Sequence, residues 1–129
     1  MNARTVTTVL DAPKHAVFAY LSQIDNLPKW ATEFARELKY ENGEAKVLNG
    51  LGEFYFRITA DEETGVIDMH AGPATDALAL FPTRVVPLAT DRSAYTFTMF
   101  QSPAMPDELF ESQYESLLRE FENIRREFE

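Results

Sequence analysis

The strongest constraint on this chain lies near its end, where Phe110, Tyr114, Leu117, Leu118, Phe121, Ile124 and Phe128 recur at three- and four-residue intervals. That spacing places them on one wide face of an α-helix of roughly twenty residues. Asp107 is a capping candidate at its start, with further acids in the first turn, where the helix dipole favours negative charge. A helix with so broad an oily face must bury it. No other stretch keeps a helical period long enough to serve as partner, so the partner must be a sheet.

From residue 33 to residue 101 the period shortens to two. Residues 33–41 and 44–48 flank Asn42-Gly43, a hairpin signal because both residues accept positive φ. Asn49-Gly50-Leu51-Gly52 turns into a strand at 53–59, with Phe54, Phe56 and Ile58 on one face and Glu53, Tyr55, Arg57 and Thr59 on the other. A strand at 66–71 follows the turn at 61–65. Residues 77–88 read as a long strand containing Pro82, which implies an edge, a bulge or a bend there. In the last strand, 94–101, Tyr95, Phe97 and Met99 alternate with Thr96 and Thr98, a half-buried pattern with its polar face in water.

Upstream, residues 5–10 are rich in β-branched side chains and form a first strand. Two short helices follow, at 13–21 with Pro13 in the first turn and at 27–32 with Trp30. The expected architecture is α+β: a curved antiparallel sheet of about seven strands wrapped around one long C-terminal helix, with two short helices after the first strand. At 129 residues a single domain, 1–129, is expected.

Composition narrows the function. Aromatic residues make up 12% of the chain, with ten Phe, five Tyr and one Trp, enough to fill a core or line an apolar pocket. There is no Cys, which excludes thiol catalysis, disulfides and thiolate metal sites and fits a cytoplasmic location. The N-terminal residues show no apolar segment of signal-peptide type, and no run reaches membrane-spanning length. A formal net charge of −9 repels phosphate backbones and anionic headgroups, so neither nucleic acid nor membrane is an expected partner.

The order of elements resembles the helix-grip superfamily (SRPBCC, or START-like), which includes START lipid-transfer domains, birch-pollen-allergen-like proteins and polyketide cyclases. Val9-Leu10-Asp11-Ala12-Pro13 before the Val17-Phe18 helix looks like that family's opening, and residues 21–30 look like its helix pair with a buried tryptophan. Gly65-Val66-Ile67-Asp68, Arg84-Val85-Val86-Pro87 and residues 97–101 are similar to a bacterial, polyketide cyclase/dehydratase-like branch of unassigned function. In that branch, as the resemblance implies, His often follows the aspartate directly. Here Met69 stands in that place and His70 comes one later, on the other face of the strand.

The resemblance covers the whole chain and implies a cavity between sheet and helix. Phe54, Phe56, Phe97 and Met99 are the expected lining residues from the sheet, with Tyr114, Leu117, Leu118 and Phe121 across from them. Arg84, a guanidinium in an otherwise apolar strand, is either an outer-face ion-pair partner of Asp68 or Glu53 or a cation holding a ligand carboxylate or enolate. Asp68 and His70 share a strand face and form an acid/base couple only if that face is the inner one. His15, in a first helical turn, reads as a surface residue. Two His without Cys are a thin supply of ligands, so no metal is expected. No phosphate loop or nucleophile elbow is present, and Gly50-Leu51-Gly52 precedes a strand rather than a helix, so no cofactor is expected either.

The first expectation is therefore a binder of a small hydrophobic molecule, as monomer or homodimer. The alternatives are a cyclase, dehydratase or isomerase acting on an enolisable ketone through Asp68, His70 or Arg84, and a protein-interaction module without a ligand.

Overall fold

The computed structural model describes residues 1–129. Its strands are β1 (Ala3–Leu10), β2 (Glu37–Glu41), β3 (Glu44–Asn49), β4 (Gly52–Asp61), β5 (Val66–Gly72), β6 (Ala79–Ala89) and β7 (Arg92–Phe100). The helices are α1 (Lys14–Leu21), α2 (Leu27–Trp30), preceded by a single 3-10 turn at Ile24–Asn26, and α3 (Asp107–Glu127). All seven strands join one antiparallel sheet in the order β1-β7-β6-β5-β4-β3-β2. β2 to β7 are thus consecutive hairpins, and β1 closes onto the last of them.

Turn chemistry sets the register. Asn42 and Gly43 both have positive φ, 53° and 79°, as the two-residue hairpin requires. Gly65 at the β4–β5 turn also has positive φ, and a Cβ there would lie 2.1 Å from the carbonyl oxygen of Val85. Glycine is the one residue that meets both demands, and its carbonyl accepts the Val85 N–H at 2.8 Å.

The period-2 pattern decides which face is inside. In β7, Tyr95, Phe97 and Met99 are buried, while the Thr96 and Thr98 hydroxyls bond those of Thr7 and Thr5 on the outer face at 3.0 and 2.8 Å. In β6 the inward residues are Phe81, Thr83 and Val85, which puts Pro82 and Arg84 outside. Pro82 lies in an interior strand, not at an edge. The register with β7 begins at Thr83, one residue beyond it, so the missing N–H falls at the end of that ladder. The irregularity in β6 comes later, between Pro87 and Ala89.

The oily stripe of α3 lies on this inner face. Phe110, Leu117, Phe121 and Ile124 are all buried. The Phe121 ring stacks on Tyr95 with centroids 5.5 Å apart and meets the Phe97 ring edge-on at 6.2 Å. At the far end Phe128 meets Tyr20 of α1 edge-on, and Val17 and Leu21 fix α1 to the same core. Tyr95 is wholly buried, and its hydroxyl neighbours that of Thr83, which donates to the Ile67 carbonyl, without forming a hydrogen bond of ordinary geometry. Tyr95→Phe removes that unsatisfied group, so thermal unfolding of the variant is expected to show unchanged stability or a gain of about 1 kcal/mol.

Strand ends shift by one or two residues from the sequence reading, and three differences lie in the helical segment before β2. α1 starts at Lys14, with extended Pro13 as its N-cap residue. α2 stops at Trp30 instead of residue 32. Residues 33–36 are not strand: the Ala35 N–H closes a turn onto the Ala31 carbonyl, and the N–H groups of Glu33 and Phe34 go to Glu120 of α3. Side-chain acceptors from a distant helix outcompete a strand partner, which local periodicity does not register.

Candidate functional site: a chamber beside the terminal helix

A cavity of about 460 Å³ lies between the sheet and one flank of α3. Its floor is Phe56 of β4, Met69 of β5, Phe81 of β6 and Phe97 and Met99 of β7, residues that share the inner face. α2 supplies Leu27 and Trp30 at the buried end. Arg36, Ser112 and Leu51 of the β3–β4 turn are exposed and mark the mouth. Asn49 shapes that rim: its Oδ1 accepts from the Leu51 N–H at 2.8 Å and its Nδ2 donates to the Phe34 carbonyl at 2.7 Å.

The helical wall is Leu109, Ser112, Gln113, Ser116, Leu117 and Glu120. At about 100° per residue this row is centred roughly 80° around the axis from the Phe110–Phe121–Ile124 row, with Leu117 shared between them. One stripe of α3 packs, and a second, more polar stripe faces the chamber.

Glu120 stands out on that wall. It is 4% exposed, and its Oε2 accepts the backbone N–H groups of Glu33 at 3.1 Å and Phe34 at 3.0 Å. Burial pushes its carboxyl up to about 7, against the opposing pull of the Phe34 and Glu33 N–H groups. Its neighbours complete a clasp on the segment after α2. Arg119 grips the Glu33 carboxylate with Nε and an Nη at 2.9 and 2.7 Å, and Ser116 Oγ donates to it at 3.1 Å. Arg119 first and Ser116 after it hold the Glu33 carboxyl below its ordinary value. Asn123 Nδ2 donates to the Trp30 carbonyl at 3.0 Å.

The residues singled out from sequence divide by face. Phe56, Phe97, Met99 and Leu117 come together on the chamber wall. Phe54 is half-buried against the core without reaching the chamber, and Phe121 lies under the helix on Tyr95. Tyr114 sits beneath the Arg4 guanidinium, 4.9 Å from ring centroid to Cζ, on the β1 side of α3. Leu118 is 41% exposed, one residue past Leu117 and so turned out of the interface.

Asp68, His70 and Arg84 stand on the outer face of the sheet, because Ile67, Met69, Thr83 and Val85 take the inner positions. Arg84 is exposed and pairs with neither Asp68 nor Glu53. Its Nε donates to the Thr64 carbonyl at 3.0 Å, while Glu53 is held by Lys39 at 2.6 Å. β4, which carries Glu53, is not adjacent to β6, and the residue across from Asp68 is Pro82. Met69, the residue directly after Asp68, is the one on the chamber floor.

Sequence reasoning missed Glu120, Ser116, Gln113, Trp30 and Phe81 as wall residues. A signal existed for the helical ones: Leu109, Ser112, Ser116 and Glu120 recur at three- and four-residue spacing beside the oily row. Phe81 is legible from its alternation with Thr83 and Val85.

A curved antiparallel sheet closed by one long helix, with two short helices after the first strand and a chamber between, defines the helix-grip class. No family model matches the chain, and no curated protein matches it by sequence. Solved structures do match. An uncharacterised protein from Bacillus thuringiensis aligns with a TM-score of 0.77 at 14% identity, over 98% of this chain and 98% of its own. An aromatase/cyclase from a Streptomyces species gives 0.70 at 16% identity, over 98% and 93%. A START superfamily protein from Mycobacterium smegmatis gives 0.64 at 15% identity, over 98% and 99%. At such identities the shared property is the fold, and the chain has the START-like helix-grip fold. No helix is long and apolar enough to cross a membrane.

Proposed function

We propose that the protein binds a small hydrophobic molecule in the chamber between the sheet and α3, in the cytoplasm and as a monomer or homodimer. The observation that carries this reading is the chamber itself: about 460 Å³, with a floor of three Phe and two Met, left open despite the aromatic content. Ligand pockets run from about 300 to 1,000 Å³ and are mainly apolar with a few polar groups, which matches this wall. The likeness to a START superfamily protein and to an aromatase/cyclase supports it.

Trp30 is the sole tryptophan and lies on the wall, so its emission reports on the chamber. Titration with n-propylbenzene is expected to shift Trp30 emission saturably, with one molecule bound per chain. An unsaturable response up to the solubility limit would overturn the reading. A reaction on an enolisable ketone would have to rest on the ionisable residues of the wall, Glu33, Arg36 and Glu120, since Asp68, His70 and Arg84 are on the outer face.

A further inference from the structure

We propose that the guest is an uncharged apolar molecule carrying a hydroxyl group, and that Oε1 of Glu120 accepts the hydrogen bond from that hydroxyl. This rests on the chamber being a binding site and goes further, because it names the polar group that the guest must have.

The inference follows from counting acceptors and donors. A carboxylate has two oxygens and room for about four hydrogen bonds. Both protein donors to Glu120, the N–H groups of Glu33 and Phe34, fall on Oε2. Oε1 is left without one, on a residue that is 4% exposed and lines the chamber. The nearest guanidinium on the same helix, Arg119, is engaged with Glu33 and Ser116. Oε1 is not sealed off but faces the chamber, so a guest that fills the chamber displaces the solvent that reaches it and must supply a donor in its place.

Donor number selects a hydroxyl over an ammonium. An ammonium carries three N–H donors and needs several acceptors, whereas a hydroxyl has one. Of the other polar side chains on the wall, Ser116 and Glu33 are bonded to each other and to Arg119. Asn49 is bonded to the Phe34 carbonyl and the Leu51 N–H, and Arg36 is a cation that repels an ammonium. Ser112 and Gln113 lie eight and seven residues back along α3, about 11–12 Å away at 1.5 Å per residue. A buried ammonium would therefore keep unsatisfied donors as well as a desolvated charge. A phenol or alcohol would leave none.

The test uses three probes of one shape: para-propylphenol, para-propylanisole and para-propylbenzylamine, titrated calorimetrically at pH 8 into wild type and Glu120→Gln. The phenol is expected to bind wild type roughly tenfold tighter than the anisole, the scale of a charge-assisted hydrogen bond in a dry site. In Glu120→Gln the amide oxygen can still accept from Glu33 and Phe34 while the NH2 faces the guest. Phenol and anisole, both acceptors, should then bind within about threefold of each other, since neither outdoes the other as partner for a neutral amide donor.

Equal binding of phenol and anisole to wild type would overturn the anchor while leaving the chamber a binding site. Tightest binding by the amine would overturn the uncharged class. Binding of none of the three, nor of n-propylbenzene, would overturn the chamber reading itself. The wild-type comparison decides the anchor even if the variant does not fold.

Discussion

Phe121→Ala is expected to lower the unfolding free energy by about 3–5 kcal/mol, the range for deleting a buried aromatic ring. Phe121 is the point at which α3 holds the sheet: it is 3% exposed, stacked on Tyr95 and edge-on to Phe97. Its loss removes both ring contacts and leaves a void between rigid strands that cannot collapse to fill it. Urea unfolding followed by circular dichroism measures the effect. Leu118→Ala, one turn away but 41% exposed, serves as the control and should change stability by under about 1 kcal/mol. Comparable losses from the two would mean that α3 does not lie with this face on the sheet.

The second large effect is a dependence of stability on pH. The Glu120 carboxyl titrates at about 7 in the folded chain, raised by burial, against an ordinary value of 4.5. A carboxyl raised by folding favours the folded state most when it is protonated. Its contribution is fully present below about pH 4.5 and is lost as pH rises through about 7, a change of about 3 kcal/mol. The charges facing it are Glu33, which raises it further, and Arg119, which lowers it.

Glu33, Glu41 and Glu44 run the other way, each held below its ordinary value by a cationic partner, Arg119, Lys39 and Arg57 respectively. Their contributions are present above the ordinary carboxylate range and fall away only in more acidic solution, so they do not mask the decline between pH 4.5 and 7. Glu120→Gln should flatten that decline. At pH 8 the variant is expected to melt about 10 °C above wild type, and near pH 4.5 the two should coincide. Parallel melting curves across this range would show that Glu120 is ionised in the fold at little cost.

The legible part of this molecule was the part governed by short-range periodicity. Alternation in 94–101 named the inner residues of β7 directly, Asn42-Gly43 named its hairpin, and the Phe110-to-Phe128 row named the face of α3 that packs. The chamber was half legible for a physical reason. Apolar periodicity reports what is buried, but burial is shared by core and cavity wall. Phe121 and Phe97 are both buried aromatics, and only their places in the assembled fold make one a packing residue and the other also a wall.

Glu120 was hidden by its charge. In a helix with so many acids it reads as one more solvated carboxylate, and its burial depends on residues 33–34 folding back over it. The outer placement of Asp68, His70 and Arg84 turned on which strand parity faces inward. Ile67, Thr83 and Val85 settle that once the register is known.

Leu117 and Glu120 of α3 serve both the packing and the chamber wall, but Leu109, Ser112 and Gln113 line the chamber without being part of the buried core. Substitutions at Ser112, Gln113 or Leu109 alter what the chamber admits without touching the rings that keep the molecule together. If the chamber binds a guest as proposed, these three positions allow one guest to be exchanged for another while the Phe121 anchor, and with it the capacity to fold, stays in place.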